Sequence, residues 1–246
     1  MKQLVKRLKR ANTRVTVLTG AGVSAASGVP TFRGADGLWR NFRPETLATA
    51  EAFGRDPKLV WEWYAWRRSR IAACEPNAAH RVIAGWSRCF SNFHLITQNV
   101  DGLHERAGTD KTICLHGSIW EVSCWQGCAN SPKRWRDETV SFNEMPPRCP
   151  YCTGPIRPGV VWFGETLDPA TVRKASEAAA CDVFMTIGTS SVVYPAAGFL
   201  SAAKQQGAFT VEINPDATPA SSTVDLVLRG PAEKVLPELD QELAGL

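Results

Sequence analysis

No run of about 18 apolar residues occurs in the 246-residue chain, which excludes a membrane-spanning helix of ordinary length. The amino-terminal segment lacks the apolar core of a secretion signal. It has only Leu4, Val5 and Leu8 at helical spacing among Lys2, Lys6, Arg7, Lys9, Arg10 and Arg14. That pattern predicts a solvated amphipathic first helix in a soluble, cytoplasmic protein. Internal repeats and low-complexity tracts are absent as well, so the fold is not an array of repeated units. An excess of one charge is also missing: the net charge is +4 and, beyond the first helix, cations alternate with acids. Neither nucleic acid nor a membrane is therefore the expected partner.

The eight cysteines are not spaced as a disulfide framework. Cys124-x3-Cys128 and Cys149-x2-Cys152 form two close pairs twenty residues apart, whereas Cys74, Cys89, Cys114 and Cys181 stand singly. The single residues read as small hydrophobes in a reducing compartment. The pairs have the spacing of a zinc ribbon, and a four-thiolate site leaves no position open for substrate, so the metal is expected to be structural. The alternatives are two disulfides or four unrelated thiols.

Apolar, β-branched runs recur at residues 15–20, 93–99, 181–189, 209–215 and 224–230, with helical stretches at 76–89 and 195–207. Buried parallel strands alternating with helices predict an α/β fold, a Rossmann-like doubly wound sheet. Two segments break the alternation, 34–75 and 119–160, and are expected to form a smaller domain from a helical module and a zinc-binding module. The remainder, 1–33, 76–118 and 161–246, is expected to form the doubly wound domain. Ligands of such sheets lie beyond the carboxyl ends of the strands.

"TGAGVSAASG" (19–28) leaves the first strand with Gly20, Gly22 and Ala25 in the G-x-G-x-x-A pattern, which suits a pyrophosphate near the start of the following helix. No acid on a strand end follows about twenty residues on, so a simple dehydrogenase is disfavoured. "TQNVDGLH" (97–104) gathers Gln98, Asn99 and Asp101 at a second strand exit, and "LHGS" (115–118) offers His116 as a general base. His80 and His94 read as structural, and His104 is open between the two roles. The segment "WEWYAWRRSR" (61–70) is unusual. Asp56-Pro57 begins it as a helix, and helical spacing sets Tyr64 and Arg67 on one face. Either its tryptophans pack inward with the arginines solvated or stacked on rings, or a hydroxyl and a guanidinium together grip an anion.

In this order, "TGAGVSAASGVPTFRG", "TQNVDGLH", "LHGS", the two cysteine pairs, "VVWFGE" (160–165), "GTSSVVYPAA" (188–197) and "INPD" (213–216) resemble the sirtuins, NAD-dependent protein lysine deacylases. The resemblance spans nearly the whole chain. It implies that Gly20, Ala21, Gly22 and Ser24, with Thr31, Phe32 and Arg33 on a closing loop, bind the phosphate and ribose region of NAD. Gln98, Asn99 and Asp101 would hold the nicotinamide ribose and carboxamide, and Gly188, Thr189, Ser190, Asn214 and Ala232 the adenosine half. Val161, Trp162, Phe163, Gly164 and Glu165, facing Val192, Val193 and Tyr194, would take an acylated lysine in an extended peptide. In the reaction so implied, the acyl oxygen attacks the ribose carbon, nicotinamide leaves, and His116 removes a proton from a ribose hydroxyl, giving O-acyl-ADP-ribose; Asn99 and Asp101 assist.

The likeness extends to the bacterial, class III type of sirtuin, in which a Tyr-x-x-Arg pair reads a carboxylate on the acyl chain. Here the pair is Tyr64 and Arg67, with Ala48 as the small residue widening the pocket. Succinyl and malonyl groups are the implied substrates, with acetyl as a second. The extra residue between Cys124 and Cys128 departs from the family's usual spacing, and zinc is still expected there. A plain deacetylase, an NAD-sensing scaffold without turnover and a protein mono-ADP-ribosyltransferase are the competing readings, and a monomer is expected.

Overall fold

The computed structural model describes residues 1–31 and 43–245. Strands β1 (Arg14–Thr19), β2 (Asn92–Thr97), β3 (Ile113–Cys114), β7 (Val183–Ile187), β8 (Phe209–Asn214) and β9 (Leu226–Arg229) form one parallel sheet in the order β3-β2-β1-β7-β8-β9. Each of the five apolar runs read from the sequence is one of these strands. The strand order reverses between β1 and β7, which pair from Val15 against Val183 to Thr19 against Ile187. That is the switch point where a crevice opens beyond the strand ends.

Alternation along the strands divides the core into two layers. Val15 and Val17 of β1, Val183 and Met185 of β7, and Val211 of β8 face helices α1 (Lys2–Leu8), α5 (Ala78–Cys89) and α9 (Ala232–Ala244), which contribute Leu4, Ile83 and Leu236. Leu18 and Phe184 face α7 (Pro169–Ala178) and α8 (Ala196–Gln205), which contribute Ala175 and Phe199. The expected amphipathic first helix is thus α1, with Leu4, Val5 and Leu8 all buried.

The smaller part differs from the irregular module read from its prolines. Strands β5 (Trp135–Arg136), β4 (Gly117–Cys124) and β6 (Ile156–Val160) form an antiparallel sheet in that order. Its pattern is hard to see in the sequence because the β4–β6 register shifts between Gly117 and Val122, which breaks the two-residue period. Helices α2 (Pro44–Leu47), α3 (Ala50–Arg55) and α4 (Pro57–Ala72) pack beside it, and α6 (Leu103–Arg106) is a single turn after β2.

Helix α4 starts as expected: Pro57 occupies its first turn and the Asp56 carboxylate accepts from the Leu59 N–H at 2.9 Å. Of its arginines, Arg70 is solvated, whereas Arg67 and Arg68 are buried over aromatic rings. Arg68 is fully buried, its guanidinium lying over the rings of Trp61, Trp120 and Phe142. It donates to the Ile119 carbonyl at 2.8 Å, to Asp137 Oδ1 at 2.5 Å and to the Thr139 carbonyl at 2.9 Å. Burial, with a smaller push from Arg136, lowers its pKa, and Asp137 opposes that shift. Arg68→Met leaves these acceptors without their donor and is expected to cost about 3–5 kcal/mol. The check is a fall in the urea midpoint at an unchanged m-value.

Candidate active site

A cleft of about 1050 Å³ lies at the carboxyl ends of the parallel strands and is walled by both parts of the chain. Its floor is made by backbones in close contact. The Gly20 N–H donates to the Ile187 carbonyl at 3.1 Å and the Gly22 N–H to the Gly188 carbonyl at 2.8 Å. A Cβ on Gly22 would stand 2.8 Å from the Gly188 Cα, and Gly188 itself has φ +60°, so both positions require glycine. The expected helix after β1 is a 3-10 turn over Ala21–Ser27. Gly20, Ala21, Gly22 and Thr31 line the cleft on this side, and Gly188, Thr189, Ser190 and Asn214 line it on the other. Phe32 and Arg33 lie outside the described residues.

Gln98 and Asn99 leave β2 into the same space. The Gln98 amide donates to Thr189 Oγ1 at 2.9 Å, and the Asn214 amide to the Thr189 carbonyl at 2.8 Å. Asn99 Nδ2 donates to the Gly20 carbonyl at 3.1 Å and to Ser24 Oγ at 3.2 Å. What Asn99 offers a ligand is therefore its carbonyl oxygen, an acceptor for a hydroxyl.

His116 also lines the cleft. Its Nδ1 lies 3.0 Å from the Gln98 carbonyl; because a carbonyl only accepts, Nδ1 carries the proton and Nε2 keeps the lone pair. Burial lowers its pKa below the ordinary 6.5, partly opposed by the bond to Gln98. The imidazole is thus neutral at pH 7 and ready to take a proton.

Four expected residues are not brought to the cleft wall. Ser24 and Asp101 sit behind it, with Ser24 Oγ donating to Asp101 Oδ2 at 2.8 Å and the Leu103 N–H to Asp101 Oδ1 at 2.9 Å. Burial raises the Asp101 pKa against these two bonds. Val100, unmarked in the sequence reading because it is a plain aliphatic, lines the cleft between Asn99 and Asp101. Val192 is exposed away from the wall, and Ala232 is turned into the core while Pro231 and Glu233 beside it face the cleft. Of the remaining histidines, His80 and His104 are buried, His80 Nε2 3.3 Å from Ser24 Oγ and His104 Nε2 3.0 Å from Thr19 Oγ1, whereas His94, expected to be structural like His80, is exposed on β2.

At the other end, Ala48, Tyr64 and Arg67 line the cleft with Val161, Trp162, Phe163, Gly164 and Glu165, and Val193 and Tyr194 stand across from them. The Phe163 N–H donates to the Ala48 carbonyl at 2.9 Å. Arg67 is buried, with its guanidinium 4.9 Å from the Trp63 ring centroid and 5.7 Å from that of Tyr64. Burial lowers its pKa, but a guanidinium remains charged at neutral pH. Burial likewise raises that of Tyr64, so its hydroxyl keeps its proton.

Apart from the cleft, the sulfurs of Cys124, Cys128, Cys149 and Cys152 all lie within 4.8 Å of one another. Cys124 to Cys152 is 3.6 Å and Cys128 to Cys149 is 3.9 Å. A disulfide needs about 2.05 Å, whereas thiolates at about 2.3 Å from a tetrahedral zinc stand about 3.8 Å apart. The donor set fits zinc, and Gly127, with φ +60°, turns the longer Cys124–Cys128 loop so that it closes.

The Sir2 family profile matches residues 20–195. An NAD-dependent protein deacylase of Aquifex aeolicus is 51% identical over 216 residues, 87% of this chain and 89% of that protein. The chain belongs to the Sir2 family. A crystal structure of a Sir2 homologue in complex with NAD superposes with a TM-score of 0.90 at 44% identity, covering 100% of this chain and 94% of that one. A Sir2 variant with a deacetylated peptide and 3′-O-acetyl-ADP-ribose does so with a TM-score of 0.84 at 28% identity, covering 100% and 99%.

Two expectations follow from this geometry. Zinc analysis of the purified chain should give about one ion per molecule, and Cys149→Ala should lose the metal and lower the melting temperature, since metal binding supplies folding free energy. Secondly, His116 can take up a proton only in its neutral form. Because burial lowers its pKa, the acid limb of the kcat/KM profile should have its midpoint below the ordinary histidine value of about 6.5.

Proposed function

We propose that this Sir2-family chain removes carboxylate-bearing acyl groups, succinyl and malonyl, from protein lysines, with acetyl as a second substrate. It is an NAD-dependent protein deacylase. When bound, NAD supplies an electrophilic ribose carbon and nicotinamide as the leaving group. The glycine-lined floor, with Gly188, Thr189 and Asn214, holds the nucleotide. Asn99 accepts from a ribose hydroxyl through its carbonyl oxygen. His116 takes the proton of a neighbouring ribose hydroxyl at Nε2 while Nδ1 stays fixed to Gln98. Asp101, behind the wall, acts through Ser24 and the turn at Leu103 rather than by contact.

An acylated lysine in an extended peptide lies along residues 161–165, against Val193 and Tyr194, where backbone hydrogen bonds give affinity with loose sequence preference. This reading divides the chain into a nucleotide-binding part, 1–33, 76–118 and 161–246, and a small part, 34–75 and 119–160, with the substrate entering between them. The single thiols Cys74, Cys89, Cys114 and Cys181, none of them in a disulfide, support a reducing cytoplasm, and the chain is read as a monomer.

The observation that carries the acyl preference is that Tyr64 and Arg67 line the same cleft as His116, beside the small Ala48. A planar guanidinium takes a carboxylate through two parallel N–H bonds, and the phenol adds a third donor. Acetyl-lysine presents nothing for them to bind. With one peptide carrying either group, Arg67→Met is expected to lower kcat/KM for succinyl-lysine by about a hundredfold relative to acetyl-lysine. Equal losses on both peptides would make this a plain deacetylase.

A further inference from the structure

A phenol has one proton to give and two lone pairs with which to accept. Trp162 Nε1–H donates to Tyr64 Oη at 3.0 Å, and the Arg67 guanidinium, which can only donate, lies 5.7 Å from the Tyr64 ring centroid. With the indole N–H on one of its lone pairs, the hydroxyl of Tyr64 is turned to give its own proton to an acceptor. Both rings are buried, so water does not compete freely for the geometry. From these contacts we propose that Trp162 is a positioning residue for acyl specificity: its indole N–H aims the Tyr64 hydroxyl at the distal carboxylate of the acyl chain. This inference rests on the acyl reading above.

The indole is itself held on every side. The Arg157 guanidinium stacks 3.7 Å from its ring centroid. Arg157 pairs with Glu165 through two bonds, 2.5 and 2.8 Å, and Glu165 Oε2 accepts from the Trp162 backbone N–H at 2.8 Å. The Phe53 ring packs 5.3 Å from it. Burial alone would raise the Glu165 carboxyl, but Arg157 and that N–H bring it below the usual range, so the clamp stays charged. Trp162 also lies in the segment assigned to the substrate peptide. Its own N–H and carbonyl are bonded to Glu165, so the residue that sets the acyl reader with its ring is a braced part of the segment that docks the peptide, which ties lysine docking to recognition of the acyl end.

The test is the ratio of kcat/KM for succinyl-lysine to that for acetyl-lysine on one peptide with NAD, in which any common loss cancels. Trp162→Phe keeps an aromatic ring but loses the N–H, and is expected to lower the ratio about tenfold, through KM for the succinyl peptide. In a Tyr64→Phe background the same substitution should change the ratio by less than about twofold, because its target is gone. Arg157→Met, which frees the indole without touching Tyr64, should lower the ratio in the same direction. An unchanged ratio in Trp162→Phe, or an equal fall with and without the Tyr64 hydroxyl, overturns the proposal. If Arg67→Met also leaves the ratio unchanged, the carboxylate reading fails with it; if Arg67→Met lowers it, only the role of Trp162 is lost.

Discussion

A guanidinium withdrawn from water needs acceptors or it destabilises the fold, and Arg68 finds them for Nε and one terminal nitrogen where α4 abuts β4 and the turn after β5. Its acceptors, Ile119, Asp137 and Thr139, belong to the cysteine-bearing module, while its neighbour Arg67 faces the cleft. Successive helical residues point about 100° apart, so fixing Arg68 fixes the direction of Arg67 and of Tyr64 one turn earlier. Strand β4 begins at Gly117, immediately after His116. One ion pair, buried on its arginine side, thus sets how the acyl end of the cleft stands relative to the base.

The sheet was legible because buried parallel strands are apolar on both faces and leave long β-branched runs in the sequence. The thiolate pairs were legible because metal geometry constrains spacing. The arginine-aromatic segment was legible as a helix through Asp56 and Pro57, but not the burial of Arg68, since its partner Asp137 is distant in sequence and carries no local signal. Strand β4 was missed where its register shift interrupts alternation. Ser24 and Asp101 were assigned to the cleft because adjacency in a motif does not say which side chains face inward. Trp162 was named for the peptide side, and only three-dimensional contact links it to Tyr64.

Below the cleft the polar residues form a buried layer. Thr19 bonds to Thr97 at 2.8 Å and to His104, and Ser24 bridges Asn99, His80 and Asp101. Burial drives the pKa of His80 down to about 4 and that of His104 well below its ordinary value. Both rings are therefore neutral hydrogen-bonding struts at physiological pH, and the formal charges on the cleft wall come from Arg67, Glu165, Asp216 and Glu233. A layer satisfied mostly by neutral groups is stiff without imposing its own field on the reacting centre.

His116 takes its tautomer from a main-chain carbonyl, whereas the side chain of the same residue, Gln98, is engaged elsewhere with Thr189. Every amino acid carries that carbonyl. Divergence at position 98 can therefore retune the nucleotide side of the cleft while the acid–base machinery is inherited intact, so the two properties are separable by evolution even though they meet in a single residue.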